Sequence, residues 1–438
     1  MTANAAHEAR LQHAVMAFIG SGVFFMLLPG TFLGVWNLIS ITNRRALESL
    51  SPAWIQAHGH AQIFGWIGTF VLGIGFYSLS KMRGLAPVPM TRVWLSYGLW
   101  ISGVALRWGA NVTEWRWRIA LPVSAALELA GFLLFFATVS HHKSSEGTAP
   151  HPKETWMLLV MASTFGFFVT LCLNAAAVIA TAVHDTGPAI SHVLDQRLLA
   201  FPTWAFLVPA VWGFNARWLP VFLGLRPPGG RRLLFALACA WSGAVVSLTG
   251  HPLPSACILM LAAIAGAWGM GIFAPALHPP KTVGIHPSFP FFVKTAYVWL
   301  LLAGILTIWA AAADRSGGIW GASRHALTVG FLAAMVFAIG QRILPAFCGA
   351  RVLFSKRLMF ASLALLNIGC ALRVGAEIPA YEGFSALAWR ILPVSAVTEL
   401  AAVTLFAANL LVTFLRPPAH LAQSRIAGSP EKLRVLAH

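Results

Sequence analysis

Charged residues are scarce in this sequence: they make up 10% of its 438 positions, and only 13 residues are acidic. A soluble domain usually has about a quarter of its residues charged, so a water-soluble fold is not expected. The 30 Lys and Arg residues give a net charge of +17, but they lie almost entirely in short segments between apolar runs. That distribution sets membrane topology and does not indicate a nucleic-acid partner.

Cysteine is also sparse. The five cysteines lie within or beside apolar runs, without any CxxC or CxxCH spacing. The sequence therefore argues against a disulfide framework, a zinc site and a covalently attached c-type haem. It also lacks a glycine-rich nucleotide-binding loop between a strand and a helix, so it does not support an ATP-driven pump.

Long hydrophobic runs dominate what remains, since 58% of the residues are hydrophobic and the mean hydropathy is +0.74. A spanning helix needs about 20 mostly apolar residues. The sequence predicts an all-α integral membrane protein of about twelve transmembrane helices, in contact with a lipid bilayer. The expected spans are 14–40, 54–79, 90–110, 119–140, 155–183, 198–224, 231–250, 254–276, 288–313, 320–346, 354–375 and 387–415.

The loops predict the orientation of these spans. Clusters of basic residues follow the even-numbered helices, as at Arg226, Arg231 and Arg232. Basic loops stay on the cytoplasmic side, so both chain ends are expected in the cytoplasm. The first apolar run is expected to remain as the first helix, because it is too long for a signal-peptide core.

Two parts of the sequence repeat each other at a distance of about 265 to 271 residues, a drift that loop insertions would produce. The recurring stretches are His60-Ala61 with His325-Ala326, Ala105-Leu106-Arg107 with Ala371-Leu372-Arg373, and Leu121-Pro122-Val123 with Leu392-Pro393-Val394. Glu128 recurs as Glu399. Matched ionisable residues within apolar runs indicate a functional site, because such residues are costly in a bilayer.

A weaker copy in the middle of the chain predicts three four-helix units, at 1–142, 143–280 and 281–415, followed by a cytoplasmic tail at 416–438. Four is an even number, so successive units enter the membrane in the same orientation and form parallel repeats. The middle unit is degenerate. It has Ala200, Leu248 and Met260 where the first and third units, called the outer units below, have a histidine, an arginine and a glutamate.

His60 and His325 are expected at similar depth in helices 2 and 10. Two imidazoles on facing helices suit the axial ligation of a b-type haem. The alternative is that each histidine only hydrogen-bonds a neighbouring helix.

Four arginines are expected at the outer ends of helices, two from each outer unit. They are Arg107, Arg373, Arg118 and Arg390. Guanidinium groups there suit bidentate pairing with the propionates of a haem. The alternative is that they extend to the membrane interface.

Glu128 and Glu399 are expected about 15 Å below the outer surface, judged from a rise of 1.5 Å per residue. A carboxyl buried there suits proton handling. The alternative is a protonated side chain that hydrogen-bonds between helices.

A loose group of four outer histidines, His58, His184, His192 and His251, suits copper or a second haem. His58 lies two residues from His60 and points about 200° away on a helix, so the two cannot easily bind one iron. The alternative is that these are ordinary loop histidines.

The stretches His58-Gly-His60-Ala-Gln-Ile-Phe-Gly and Arg324-His325-Ala-Leu-Thr-Val-Gly resemble the HxH and HAxTxG motifs of the NnrS family. These are haem- and copper-containing proteins of the bacterial inner membrane, linked to nitric oxide metabolism and nitrosative stress. The three units also resemble the helix arc of the haem–copper oxidase catalytic subunit, whose low-spin haem lies between helices 2 and 10.

The resemblance implies an NnrS-like, haem-binding inner-membrane protein involved in the nitric oxide response, with copper as a further cofactor. Helix 6 has Ala200-Phe201-Pro202-Thr203-Trp204 where an oxidase has a copper-binding histidine, so oxygen reduction is not expected, and whether the chain is an enzyme stays open. Two alternatives remain: an electron-transfer subunit or oxidoreductase that accepts electrons from quinol, and a haem-free proton-coupled transporter.

Overall fold

The computed structural model describes residues 3–45, 50–82, 87–140, 154–349 and 351–416. Within these ranges the chain forms twelve helices and no strand. We number them α1 (3–44), α2 (52–82), α3 (Met90–Thr113), α4 (Trp117–Ser140), α5 (Thr155–His184), α6 (His192–Leu223), α7 (Gly230–Leu248), α8 (Pro252–Met270), α9 (Phe289–Ala313), α10 (Gly318–Phe347), α11 (Lys356–Tyr381) and α12 (Ala388–Leu415).

Eleven of these twelve helices are long and apolar enough to cross a membrane. The exception is α3, which has 24 residues but is less apolar because it carries Arg92 and Arg107. The prediction of an all-α, multi-pass membrane protein is confirmed. The predicted tail beyond Arg416 lies outside the described residues.

Three helices form the interior of the molecule. The most apolar 18-residue stretch of each span is 67% buried in α2, 72% in α6 and 78% in α10. In the other eight candidate spans the buried share is 28–56%. Each of the three is the second helix of a predicted four-helix unit. This is the pattern that three equivalent units would give, although the division into units stays a prediction.

The inner helices share a local irregularity. A π-helical segment begins directly after His60 in α2, after Ala200 in α6 and after His325 in α10, and a further one lies in α1 at Met26–Phe32. The π-helical hydrogen-bonding pattern is rare and is found mostly at functional sites. The three positions are those that the sequence repeat aligned.

Glycine lets the last two helices of each outer unit pack closely. A Cβ at Gly103 of α3 would lie 2.8 Å from Cγ of Glu128 in α4, and a Cβ at Gly369 of α11 would lie 2.6 Å from Cγ of Glu399 in α12. Small residues at membrane-helix contacts allow backbones to approach in this way. The contact carries each glutamate into the interior.

Candidate cofactor site

His58 lies near the start of α2, and Pro52 occupies the first turn of this helix. Its Nδ1 donates to the carbonyl oxygen of Gly30 in α1, at 2.9 Å. A Cβ at Gly34 would lie 2.6 Å from Cε1 of the ring, so the absence of a side chain at Gly34 leaves room for the imidazole. The ring lies within electrostatic range of His325 and Arg373.

His325 ends the first segment of α10. Its Nδ1 donates to the carbonyl oxygen of Gly321, at 2.8 Å, and lies 3.2 Å from Oε2 of Glu377. The side chain is 26% exposed, although α10 is the most buried candidate span. Within the described part of the chain, Nε2 of neither His58 nor His325 has a hydrogen-bond partner.

Glu377 of α11 joins this cluster. Its Oε1 accepts from Nη2 of Arg373, at 3.1 Å, and a Cβ at Gly321 would lie 2.2 Å from the same oxygen. The repeat comparison missed this residue, because Asn111 is its counterpart in α3. The sequence signal was its position four residues after Arg373, which places both side chains on one helix face.

His60 points toward Glu128 of α4, within the first predicted unit. Its Nε2 lies 2.8 Å from Oε1 of Glu128, and its ring stacks on Phe64 with centroids 4.5 Å apart. Both partners of the hydrogen bond are buried. Nε2 of His60 is already bonded to Glu128, whereas Nε2 of His58 has no partner among the described residues. The geometry therefore favours His58 over His60 as the histidine that would bind iron together with His325.

The arginines divide into two kinds. Arg107 and Arg373 are buried, and among the described residues Nη1 of Arg107 and both Nε and Nη1 of Arg373 have no hydrogen-bond partner. Arg118 is exposed and donates to the carbonyl oxygens of Ala182 and Asp185. Arg390 is also exposed. The structure therefore brings Arg373 to the histidines but uses Arg118 to hold the end of α5.

Glu128 is buried and Glu399 is half-buried; a role of either in proton handling stays a prediction. Glu399 lies within electrostatic range of His325 and Arg373. One carboxyl oxygen of each glutamate, Oε2 of Glu128 and Oε1 of Glu399, is buried and unpaired within the described ranges. The two glutamates occupy corresponding positions beside the histidines of their own units.

The loose histidine group is not brought together. His184, His192 and His251 are exposed, whereas His58 is half-buried in the interior. Across the residues that the structure describes, no group of three or more His, Cys, Asp or Glu side chains could hold a metal ion. Three members of the predicted four-histidine group lie at helix ends on the surface, and a metal or second haem at this group stays a prediction.

Comparisons with known proteins place the fold. A family model described as a domain of unknown function, DUF8744, matches residues 281–415, which form α9–α12. No curated protein matches the chain. A solved structure described as a heme-copper terminal oxidase dimer is similar with a TM-score of 0.68 and 14% sequence identity, over 93% of this chain and 85% of that chain.

The chain is thus a multi-pass helical membrane protein with the fold of the haem–copper oxidases. At 14% identity the likeness shows the fold alone, and the matched family model spans only the third predicted unit.

Proposed function

We propose that this chain is a haem-binding protein of the NnrS type, located in a bacterial inner membrane and concerned with the nitric oxide response or nitric oxide metabolism. Nε2 of His58 in α2 and Nε2 of His325 in α10 would hold one b-type haem. His58 replaces His60 in this proposal. The resemblance of the two histidine motifs supplies the link to nitric oxide.

The observation that carries the proposal is the matched state of the two imidazoles. Each ring donates from Nδ1 to a glycine carbonyl, Gly30 for His58 and Gly321 for His325. Metal-binding histidines usually donate their second nitrogen to a carbonyl or carboxylate, which fixes the tautomer and the ring orientation. The Nε2 atoms of both histidines therefore remain available to bind iron.

The surrounding charges also fit a haem. Among the described residues, two buried nitrogens of Arg373 have no hydrogen-bond partner, and this side chain lies within electrostatic range of His58. A guanidinium group in that state suits a carboxylate such as a haem propionate. Glu377 orients Arg373 and His325 together, so this carboxylate is a positioning residue.

The cofactor would supply an iron that accepts and releases one electron. With both rings as ligands no coordination position stays open, so the role is electron transfer, or sensing through release of one histidine. Transfer of electrons from quinol is the main alternative within this proposal. Reduction of the haem by a quinol analogue would distinguish it.

The test is a reduced-minus-oxidised optical spectrum with a pyridine haemochrome assay on protein purified from haem-replete cells. We expect low-spin b-type bands that are lost or become high-spin in His58→Ala and in His325→Ala. His60→Ala and the exposed control His251→Ala should keep them. Loss in His60→Ala with retention in His58→Ala would restore His60 as the ligand.

A colourless wild-type protein would overturn the haem proposal. A second candidate would then lead, namely proton-coupled transport, which the burial of Glu128 beside His60 favours. Proton uptake into liposomes that depends on Glu128 and Glu399 would support it. Nitric oxide is tested separately, by a spectral change when the gas is added to the reduced protein.

A further inference from the structure

A chamber of about 100 Å³ lies between α2, α6 and α10, on the inner side of the candidate haem site. Its lining includes Ile74 of α2, Val211 of α6 and Ile339 of α10. Apart from Asn215 and the indole of Trp218, every lining side chain is apolar. The amide Nδ2 of Asn215 already donates to the hydroxyl of Tyr297, at 3.0 Å.

Aromatic side chains flank the chamber. On one flank, Trp66 of α2 contacts Phe337 of α10, with ring centroids 6.1 Å apart. Beyond the inner end, Phe347 of α10 contacts both Tyr77 of α2, at 5.1 Å, and Trp218 of α6, at 6.2 Å. One ring therefore ties the three inner helices together below the space they enclose.

The lining decides what can occupy this space. A buried water needs two to four polar partners, whereas an apolar cavity of about 150 Å³ stays dry and binds benzene or xenon. The chamber is smaller than that. A small apolar molecule in the chamber restores the dispersion contacts that the lining side chains lack around an empty space.

We propose that this chamber binds a small, uncharged, apolar molecule of the size of a dissolved diatomic gas. The inference does not depend on the haem, because no residue of the cofactor site lines the chamber. The two proposals can therefore fail separately.

Xenon is the probe, and crystals of the full chain under xenon pressure locate it by anomalous scattering, so that partition into detergent does not matter. We expect one xenon site between α2, α6 and α10. Ala210→Leu places three further carbons in the chamber and should lower the xenon occupancy at least fivefold. Ala408→Leu is the matched control, because Ala408 is exposed on α12, and it should leave the occupancy unchanged.

Gly340→Ala keeps the test decisive if Ala210→Leu does not fold. A Cβ at Gly340 would meet nothing closer than Cδ1 of Leu344, at 3.5 Å, so the added methyl fits and narrows the chamber. The xenon occupancy should fall in this variant too. The proposal is overturned if the wild-type chamber takes up no xenon, if it contains ordered water or an acyl chain, or if both variants bind xenon as the wild type does.

Discussion

At the scale of single residues, the direction of each imidazole separates two histidines that differ by only two positions. His58 turns toward Gly30 of α1, within electrostatic range of His325, and His60 turns toward Glu128. The sequence established that the two rings diverge, because residues two apart on a helix point about 200° away from each other. It could not establish which one faces α10, since that depends on the rotation of α2 against its neighbours.

Glu377→Gln tests the carboxylate that the repeat comparison missed. The change leaves the buried guanidinium of Arg373 without its charged partner. Breaking a buried ion pair costs about 3–5 kcal/mol, so we expect a loss in the free energy of unfolding of that order, measured by denaturant titration in detergent. Glu114→Gln is the control, because Glu114 is exposed. Equal stability of the two variants would show that the pair is not formed.

A double-mutant cycle tests the contact between His60 and Glu128. Each alanine variant leaves a buried polar partner unsatisfied, which costs about 1–3 kcal/mol. Because the side chains share one hydrogen bond, the double variant should lose less stability than the sum of the single variants, with a coupling of at least about 0.5 kcal/mol. Glu128→Ala combined with Arg390→Ala should be additive. An additive His60–Glu128 cycle would contradict the contact.

At the scale of helices, hydropathy located all twelve elements but misplaced several ends. The prediction for α6 began at 198, whereas the helix begins at His192, because the added turn contains Asp195 and Arg197. The prediction for α11 ended at 375, yet the helix continues to Tyr381. Glu377 within that extension is buried by its ion pair with Arg373, and a hydropathy window treats such a residue as the end of a span.

Substitution of matched glycines tests the close packing of α3 against α4 and of α11 against α12. A methyl group at Gly103 would meet backbone atoms of α4 at 2.9 Å, so Gly103→Ala must push the helices apart. Such overpacking costs about 1–3 kcal/mol. Gly109→Ala on the same helix meets nothing within 4 Å and should be neutral or stabilising by up to about 1 kcal/mol.

The same contrast is expected in the third unit, between Gly369→Ala and Gly375→Ala, because only the first would approach α12. Stability of the four variants is compared by thermal unfolding of purified protein. Equal effects at Gly103 and Gly109 would mean that α3 and α4 are not packed through this glycine. A difference confined to one unit would argue that the two outer units are not equivalent.

At the scale of the whole molecule, the π-helical segments and the burial of α2, α6 and α10 fit the three units that the repeats predict. The degenerate middle unit also keeps this architecture, although it lacks the histidine, arginine and glutamate of its neighbours. Packing of apolar helices therefore preserves the arc where the polar set has been lost. The oxidase-like fold therefore does not depend on that polar set in the predicted middle unit.

Reporter fusions test the orientation of the chain and the status of α3 together. With twelve crossings both chain ends share one side, and the basic loops after even-numbered helices place that side in the cytoplasm. A C-terminal fluorescent protein should therefore fluoresce, and a C-terminal alkaline phosphatase should be inactive. A truncated fusion after Asp185, beyond α5, should show the reverse.

The alternative for α3 is a helix that lies on the membrane surface, which would leave eleven crossings and put the two chain ends on opposite sides. The packing argues against it. Gly103 brings α3 into contact with the middle of α4, the hydroxyl of Ser96 donates to the carbonyl oxygen of Gly131, and Trp100 is fully buried. A helix engaged along its length with a spanning partner crosses with it. Active C-terminal phosphatase, with the N-terminus in the cytoplasm, would contradict that conclusion.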